Sequence, residues 1–183
     1  MKLYVARHGK TNYNELGLCN GDPTVDVHLT KEGKLQAESL SEKLRDIAID
    51  HIYVSEMKRT QQTADIVNKL HNMRISVDGR LNDNRTGFEG KHFSEYISAL
   101  DHAAENRWTA RFNDGESVED INARVRSFIA ELKTTGYQSI LIITSEVIVQ
   151  AFCGILNSLS NDDARALHVE QGDYIELLES KTD

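Results

Sequence analysis

Ser139-Ile140-Leu141-Ile142-Ile143-Thr144 is the stretch that decides the fold. Its four central residues are all apolar and mostly β-branched, with no polar alternation. That is the pattern of a strand buried on both faces, as in a parallel sheet covered by helices. Lys2-Leu3-Tyr4-Val5-Ala6 reads the same way and ends near the breaker Gly9. Ile52-Tyr53-Val54 is a further strand, Arg74-Ile75-Ser76-Val77 alternates up to Asp78-Gly79, and Tyr174-Ile175-Glu176-Leu177-Leu178 closes the set. Helical patterns fill the intervals. Thr30 caps a helix to about Ala48, with Ala37, Leu40, Leu44 and Ile47 on one stripe. Ser55 is expected as N-cap of a helix to His71, with Thr60, Ala64, Val67 and Leu70 facing inward. Ser117 and Asp120 form a capping-box pattern, followed by Val118, Ile121, Val125, Phe128 and Leu132 on one face and a stop at Gly136. Further helices are expected over about Phe93–Ala104, Val147–Leu156 and Asn161–Ala166. Strands alternating with helices predict an α/β fold, a three-layer αβα sandwich around a mostly parallel central sheet.

The chain has 183 residues, 39% hydrophobic and 27% charged, which suits one domain over residues 1–183 with a sizeable core. Within it, the polar and irregular stretch 80–115 is expected to be a lid or pocket insert. A net charge of −8 argues against nucleic-acid binding, because an acidic surface repels a phosphate backbone. A small phosphorylated substrate, or inorganic phosphate, needs only a local cationic pocket and stays allowed. Cys19 and Cys153 are too few for a disulfide framework, which favours a reducing cytoplasm. The opening apolar run is too short for a signal peptide, and no run approaches the ~18 residues of a membrane span. No Cys/His spacing suggests a metal site, and no cofactor is expected. Monomer and homodimer are both compatible with the sequence.

In open α/β sheets, ligands bind outside the carboxyl ends of the strands. The first strand ends in Arg7-His8-Gly9 and the decisive one in Thr144-Ser145, while Arg59 lies in the first turns of the helix after the strand at 52–54. Residues 9–29 form a loop containing Gly9, Gly17, Asn20, Gly21, Asp22 and Pro23, and loops beyond ~15 residues in compact domains are usually functional or disordered. An imidazole attacking phosphorus needs cations around the transferred group and a proton donor for the leaving alcohol. Arginine suits the first task through its permanent charge and planar fork of donors.

Taken in order, the motifs resemble the histidine phosphatase superfamily, the phosphoglycerate-mutase-like proteins. Arg7-His8-Gly9-Lys10-Thr11 with Asn14 is similar to the family's RHGxTxxN opening. Leu29-Thr30, Gly33 and Gln36-Ala37 are similar to its LTxxGxxQA helix start. Ser55, Arg59 and Gln62-Thr63-Ala64, then Phe88-Glu89-Gly90, then Gly115-Glu116-Ser117 with Arg124 follow in the family's sequence. Arg-His-Gly alone is a weak signal; the ordered set, running from residue 2 to about 178, is highly specific.

The resemblance implies a phosphoglycerate-mutase-like fold and a role for each matching position. His8 would be the nucleophile, and Arg7 and Arg59 would bind the phosphoryl group with help from Asn14. Gly21 and Glu116 would belong to the substrate pocket, Glu116 either positioning substrate or supporting the wall. Asp83 stands where the family's leaving-group acid is usually a glutamate, in a loop one residue tighter than usual; Glu89 is the fallback donor. His28 stands where the family commonly has proline. The largest departure is Ser145, which occupies the position of the second catalytic histidine, with Glu146 beside it adding repulsion if it faces the pocket. The implied activity is a phosphomonoesterase working through phospho-His8 on a small metabolite, impaired by Ser145. Two explanations of that serine stay open: an inactivated variant of an active enzyme, or a natural member with weakened catalysis. A phospholigand-binding protein without turnover and a mutase-type phosphotransferase are the competing functions.

Overall fold

The computed structural model describes residues 1–179. Its elements in chain order are β1 (Lys2–Arg7), α1 (Asn12–Leu16), α2 (Lys31–Leu44), β2 (His51–Val54), α3 (Lys58–His71), β3 (Ile75–Val77), α4 (Phe93–Ala103), α5 (Val118–Leu132), β4 (Ser139–Thr144), α6 (Glu146–Leu156), α7 (Asn161–Ala166) and β5 (Tyr174–Leu178). Single 3-10 turns lie at Gly79–Leu81 and Ala104–Asn106. The strands form one sheet in the order β3-β2-β4-β1-β5. Neighbours are parallel except β5, which runs antiparallel to β1.

Side chains alternate across a strand, and both central strands use the alternation to build two cores. Leu3 and Val5 of β1, with Ile140 and Ile142 of β4, pack under α5 and α6 beside Val125, Phe128 and Phe152. Tyr4 and Ala6, with Leu141 and Ile143, face the other way onto α2 and α3 beside Leu40, Leu44, Ala64 and Val67. The decisive stretch is apolar throughout because each residue has a helix layer waiting for it. This is the expected three-layer α/β sandwich.

Several boundaries move, each for a local reason. The loop 9–29 contains α1, a helix of one turn or so closed at the front by a Thr11–Asn14 capping box and at the back by Gly17 in the left-handed region. It is too short to carry a hydrophobic period. Helix α2 ends at Leu44 rather than near Ala48, because Arg45 and Ile47 donate to the carbonyls of Glu42 and Leu44, a tightened last turn. Ser55 is not the N-cap of α3. Its hydroxyl bonds Thr60 Oγ1 at 2.7 Å and accepts from Met57 N at 3.3 Å, and Met57 takes the cap position. In the stretch 80–115, α4 buries Tyr96 against Phe88, Phe93 and Phe112. Arg107 stacks on Trp108 at 4.3 Å and Arg111 pairs with Asp120.

The register of β1 on β4 sets Arg7 opposite Thr144. His8 N–H extends the ladder by donating to Thr144 O at 2.9 Å, so residues 8 and 145 emerge side by side from the carboxyl edge of the sheet.

Candidate active site

The chain leaves β1 in close contact with the first turn of α2. A Cβ on Gly9 would lie 2.2 Å from Gly33 O, and one on Gly33 would lie 2.0 Å from Lys10 O. Only a glycine pair permits that approach, and it fixes the backbone on which His8 sits. The His8 ring is buried, and Nδ1 lies 2.7 Å from Gly9 O. A carbonyl can only accept, so Nδ1 carries the proton. Nε2 then presents its lone pair, which accepts from Arg59 Nε at 3.2 Å. Burial, reinforced by the charges of Arg59 and Arg7, pushes the imidazole well below its ordinary pKa against the opposing effects of Gly9 O and Asp83. The ring is neutral, with its basic nitrogen turned into the site.

Arg59 is 3% exposed, and its fork is held from three directions. Nη1 donates to Asn20 Oδ1 at 2.7 Å, and Nη2 to Asn20 O at 2.9 Å and Asp83 Oδ2 at 2.8 Å. Burial alone would raise the Asp83 carboxyl. The charge of Arg59, helped by the Asn84 N–H, outweighs it and holds the group below its ordinary range. Arg7 donates to Val169 O at 2.8 Å and pairs with Glu146 at 2.9 Å. Ser145 is the N-cap residue of α6, 4% exposed, and its Oγ has no hydrogen-bond partner among the described residues.

Arg7, His8, Asn14, Asp83, Ser145 and Glu146 share the wall of one cleft of about 290 Å³. Asp83 also faces a second cleft of about 440 Å³, where Gly21, Arg85, Glu116 and Arg124 lie. Asn14 reaches the first cleft, but its amide oxygen serves the Thr11 cap and Gln171 Nε2. Glu116 is bound by Arg124 at 2.8 Å and accepts from Arg85 N at 3.3 Å, which makes it a brace for the Asp83 loop. Glu89 accepts from the backbone N–H of Gly21 at 2.6 Å and of Thr86 at 3.0 Å. It ties two loops together and lies on the second cleft, whereas Asp83 contacts Arg59 directly. Gly21 itself allows a close crossing, since a Cβ there would lie 2.3 Å from Asn84 O. One contributor carries little sequence signal, Asn20, which holds Arg59 twice from within a long loop; Thr63, from the Gln62-Thr63-Ala64 motif, accepts from Gly9 N at 3.3 Å.

A neutral imidazole, two guanidinium groups, a carboxyl and a hydroxyl together are able to hold an anion and present it with a nucleophilic nitrogen. The sequence profile described as "Histidine phosphatase superfamily (branch 1)" matches residues 3–181. The chain belongs to the histidine phosphatase superfamily. Among its relatives in that superfamily, the adenosylcobalamin/alpha-ribazole phosphatase of Escherichia coli (strain K12) is 29% identical over 182 residues, covering 94% of this chain and 87% of that protein. A protein of Enterobacter sp. (strain 638) named "Probable phosphoglycerate mutase GpmB" is 32% identical over 141 residues, covering 72% of this chain and 62% of that one. The crystal structure of the alpha-ribazole phosphatase from Shigella flexneri superposes with a TM-score of 0.84 at 27% identity, covering 99% of this chain and 92% of that chain. Histidine phosphatase relatives of this chain thus include phosphatases of small phosphorylated metabolites. No helix among the described residues is long and apolar enough to cross a membrane.

Proposed function

We propose that this chain is a cytoplasmic phosphomonoesterase that passes the phosphoryl group of a small metabolite to His8 and then to water. The observation that carries the reading is a neutral His8 whose Nε2 accepts from Arg59, on a ring that lines one cleft with Arg7, Asp83 and Ser145. In the first step Nε2 bonds to phosphorus as the P–O ester bond breaks, and the leaving oxygen takes a proton from the Asp83 carboxyl. In the second, water gives a proton back to Asp83 and displaces phosphate from the histidine. Asp83 is ionised while it faces Arg59 alone. A bound phosphoryl group draws Arg59 to itself and repels the carboxylate, which raises its proton affinity at the moment an acid is needed.

Ser145 supplies one neutral hydroxyl where an imidazole would supply a stronger donor. Loss of such a donor costs ~10²–10³ in rate, so turnover is slow. Hydrolysis is favoured over mutase transfer because the chain lacks the longer insertions that enclose a second phosphoryl group. The same serine, together with the Arg59–Asp83 pair, also supports the second reading, a phospholigand-binding member without turnover.

Assay of the chain, Ser145→His and His8→Ala on an aryl phosphate tests the proposal. Slow hydrolysis that increases in Ser145→His and disappears in His8→Ala is expected, with acid-labile phosphate on His8 after brief exposure to substrate. Phosphate-ester binding with no turnover in either the chain or Ser145→His would establish the binding reading instead.

A further inference from the structure

Glu146 is the first residue of α6, and its carboxylate lies in the wall of the His8 cleft. Oε2 is 2.9 Å from Arg7 Nη1, and Oε1 is 2.6 Å from His168 Nδ1 and accepts from Val169 N at 3.4 Å. Across the cleft, Asp83 holds Arg59 at 2.8 Å. Arg7 in the cleft wall and Arg59, buried against His8, therefore each face a carboxylate, and the imidazole is neutral. The charge of these groups is balanced before any ligand enters. Hydrogen bonding is not. Arg7 Nε and Ser145 Oγ are buried without partners among the described residues. Such a site offers donors without net positive charge.

A doubly charged phosphoryl group entering here must displace both carboxylates from their cations or sit against them. A singly charged one meets the donors of Arg7 and Ser145 through its free oxygens and turns its protonated or esterified oxygen toward Glu146. Building on the reading of this cleft as a phosphoryl site, we propose that Glu146 is a specificity-determining residue that selects singly charged tetrahedral oxyanions over doubly charged ones. Such an anion is a protonated phosphomonoester or a phosphodiester. The ionisable groups against Glu146 are Arg7 from β1 and His168, from the segment before β5, which is itself paired with Glu170. The test must separate them.

Calorimetric binding to the intact protein at neutral pH, with sulfate and methyl sulfate as probes of fixed charge, isolates the effect from turnover. The chain is expected to bind methyl sulfate more tightly than sulfate. Glu146→Gln, nearly isosteric, is expected to gain about tenfold or more for sulfate and to change little for methyl sulfate, as removal of a like charge from an anion site predicts. Glu146→Ala should behave the same way, which guards against an effect of the new amide. His168→Gln should leave the ratio where it is. Tight binding of dihydrogen phosphate at mildly acidic pH without dimethyl phosphate supports the proposal with the monoester as source; binding of both supports it with the diester admitted. Equal affinity of the chain for sulfate and methyl sulfate, an unchanged ratio in Glu146→Gln, or a shift reproduced by His168→Gln would each overturn it. Absence of binding by every probe would overturn it together with the phosphoryl reading of the cleft. A shifted ratio without phosphate on His8 would remove the catalytic reading alone.

Discussion

His8 keeps its reactive nitrogen uncharged by two means, burial and the neighbouring charge of Arg59. Asp83 depends on the same arginine for the opposite effect, since the Arg59 charge holds its carboxyl below its ordinary range. Its role separates by leaving group. Asp83→Asn should slow hydrolysis of alkyl phosphates by ~10²–10⁴, the usual worth of general acid catalysis, and slow p-nitrophenyl phosphate far less, since nitrophenolate departs without a proton. Equal slowing of both substrates would point to a binding role. Ser145→His should raise kcat by ~10²-fold, with KM for an aryl phosphate little changed. His8 and Ser145 were nominated from the sequence because each follows the end of a strand, whereas Asp83, in a loop, rested on its place in the resemblance alone. The partners that set their electrostatics were not legible. Nothing in the local sequence says that Asn20 grips Arg59 or that Glu146 reaches Arg7, because those contacts cross from one loop or strand end to another.

Helix α5 shows what an element needs to be read in advance. Its apolar period, the Ser117–Asp120 capping box and the buried face all agree with the structure. Phe128 at its centre is 1% exposed and meets Tyr53 and Phe152 edge-on at 5.2 and 6.1 Å. Phe128→Ala should cost ~3–5 kcal/mol, seen in urea unfolding as a lower midpoint at unchanged slope. Helix α3 was harder to read. Serine is a strong N-cap residue, but Ser55 spends its hydroxyl on Thr60 and the chain turns once more before the helix starts. The Gly9–Gly33 crossing between β1 and α2 gives a prediction of its own. Gly33→Ala must push the Lys10 backbone away, so phosphate binding should weaken while helix content by circular dichroism is kept. Unimpaired binding would show that the crossing does not position His8.

Across the whole molecule, buried ionisable groups set the response to acid. His8, His51 and His71 all have lowered pKa values, each chiefly through burial. The unfolded chain then binds protons below about pH 6.5 that the folded chain refuses, so stability is full above that value and declines as pH falls from it. Asp78 is raised by burial but lowered more by Arg80, and ends below its ordinary value, as Asp83 does. Their contribution is present above the unfolded carboxyl pKa of about 3.9 and is lost as pH falls through the lower folded values. Thermal melts should therefore show two stages of acid destabilisation, the first beginning near pH 6.5. His51→Asn should flatten the first stage and leave the second; an unchanged profile would exclude a part for that ring.

The pairing of β1 with β4 brings residues 8 and 145 together from opposite ends of the chain. Contacts so distant in sequence form slowly, because a long loop must close before any bond rewards it. On a ribosome, His8, Asn20, Arg59 and Asp83 are all made before β4 exists. Until the last third of the chain is synthesised, the nascent protein has a histidine without the backbone carbonyl of Thr144 that anchors it. On the proposed function, the capacity to capture phosphate therefore arrives only once β4 has joined the sheet.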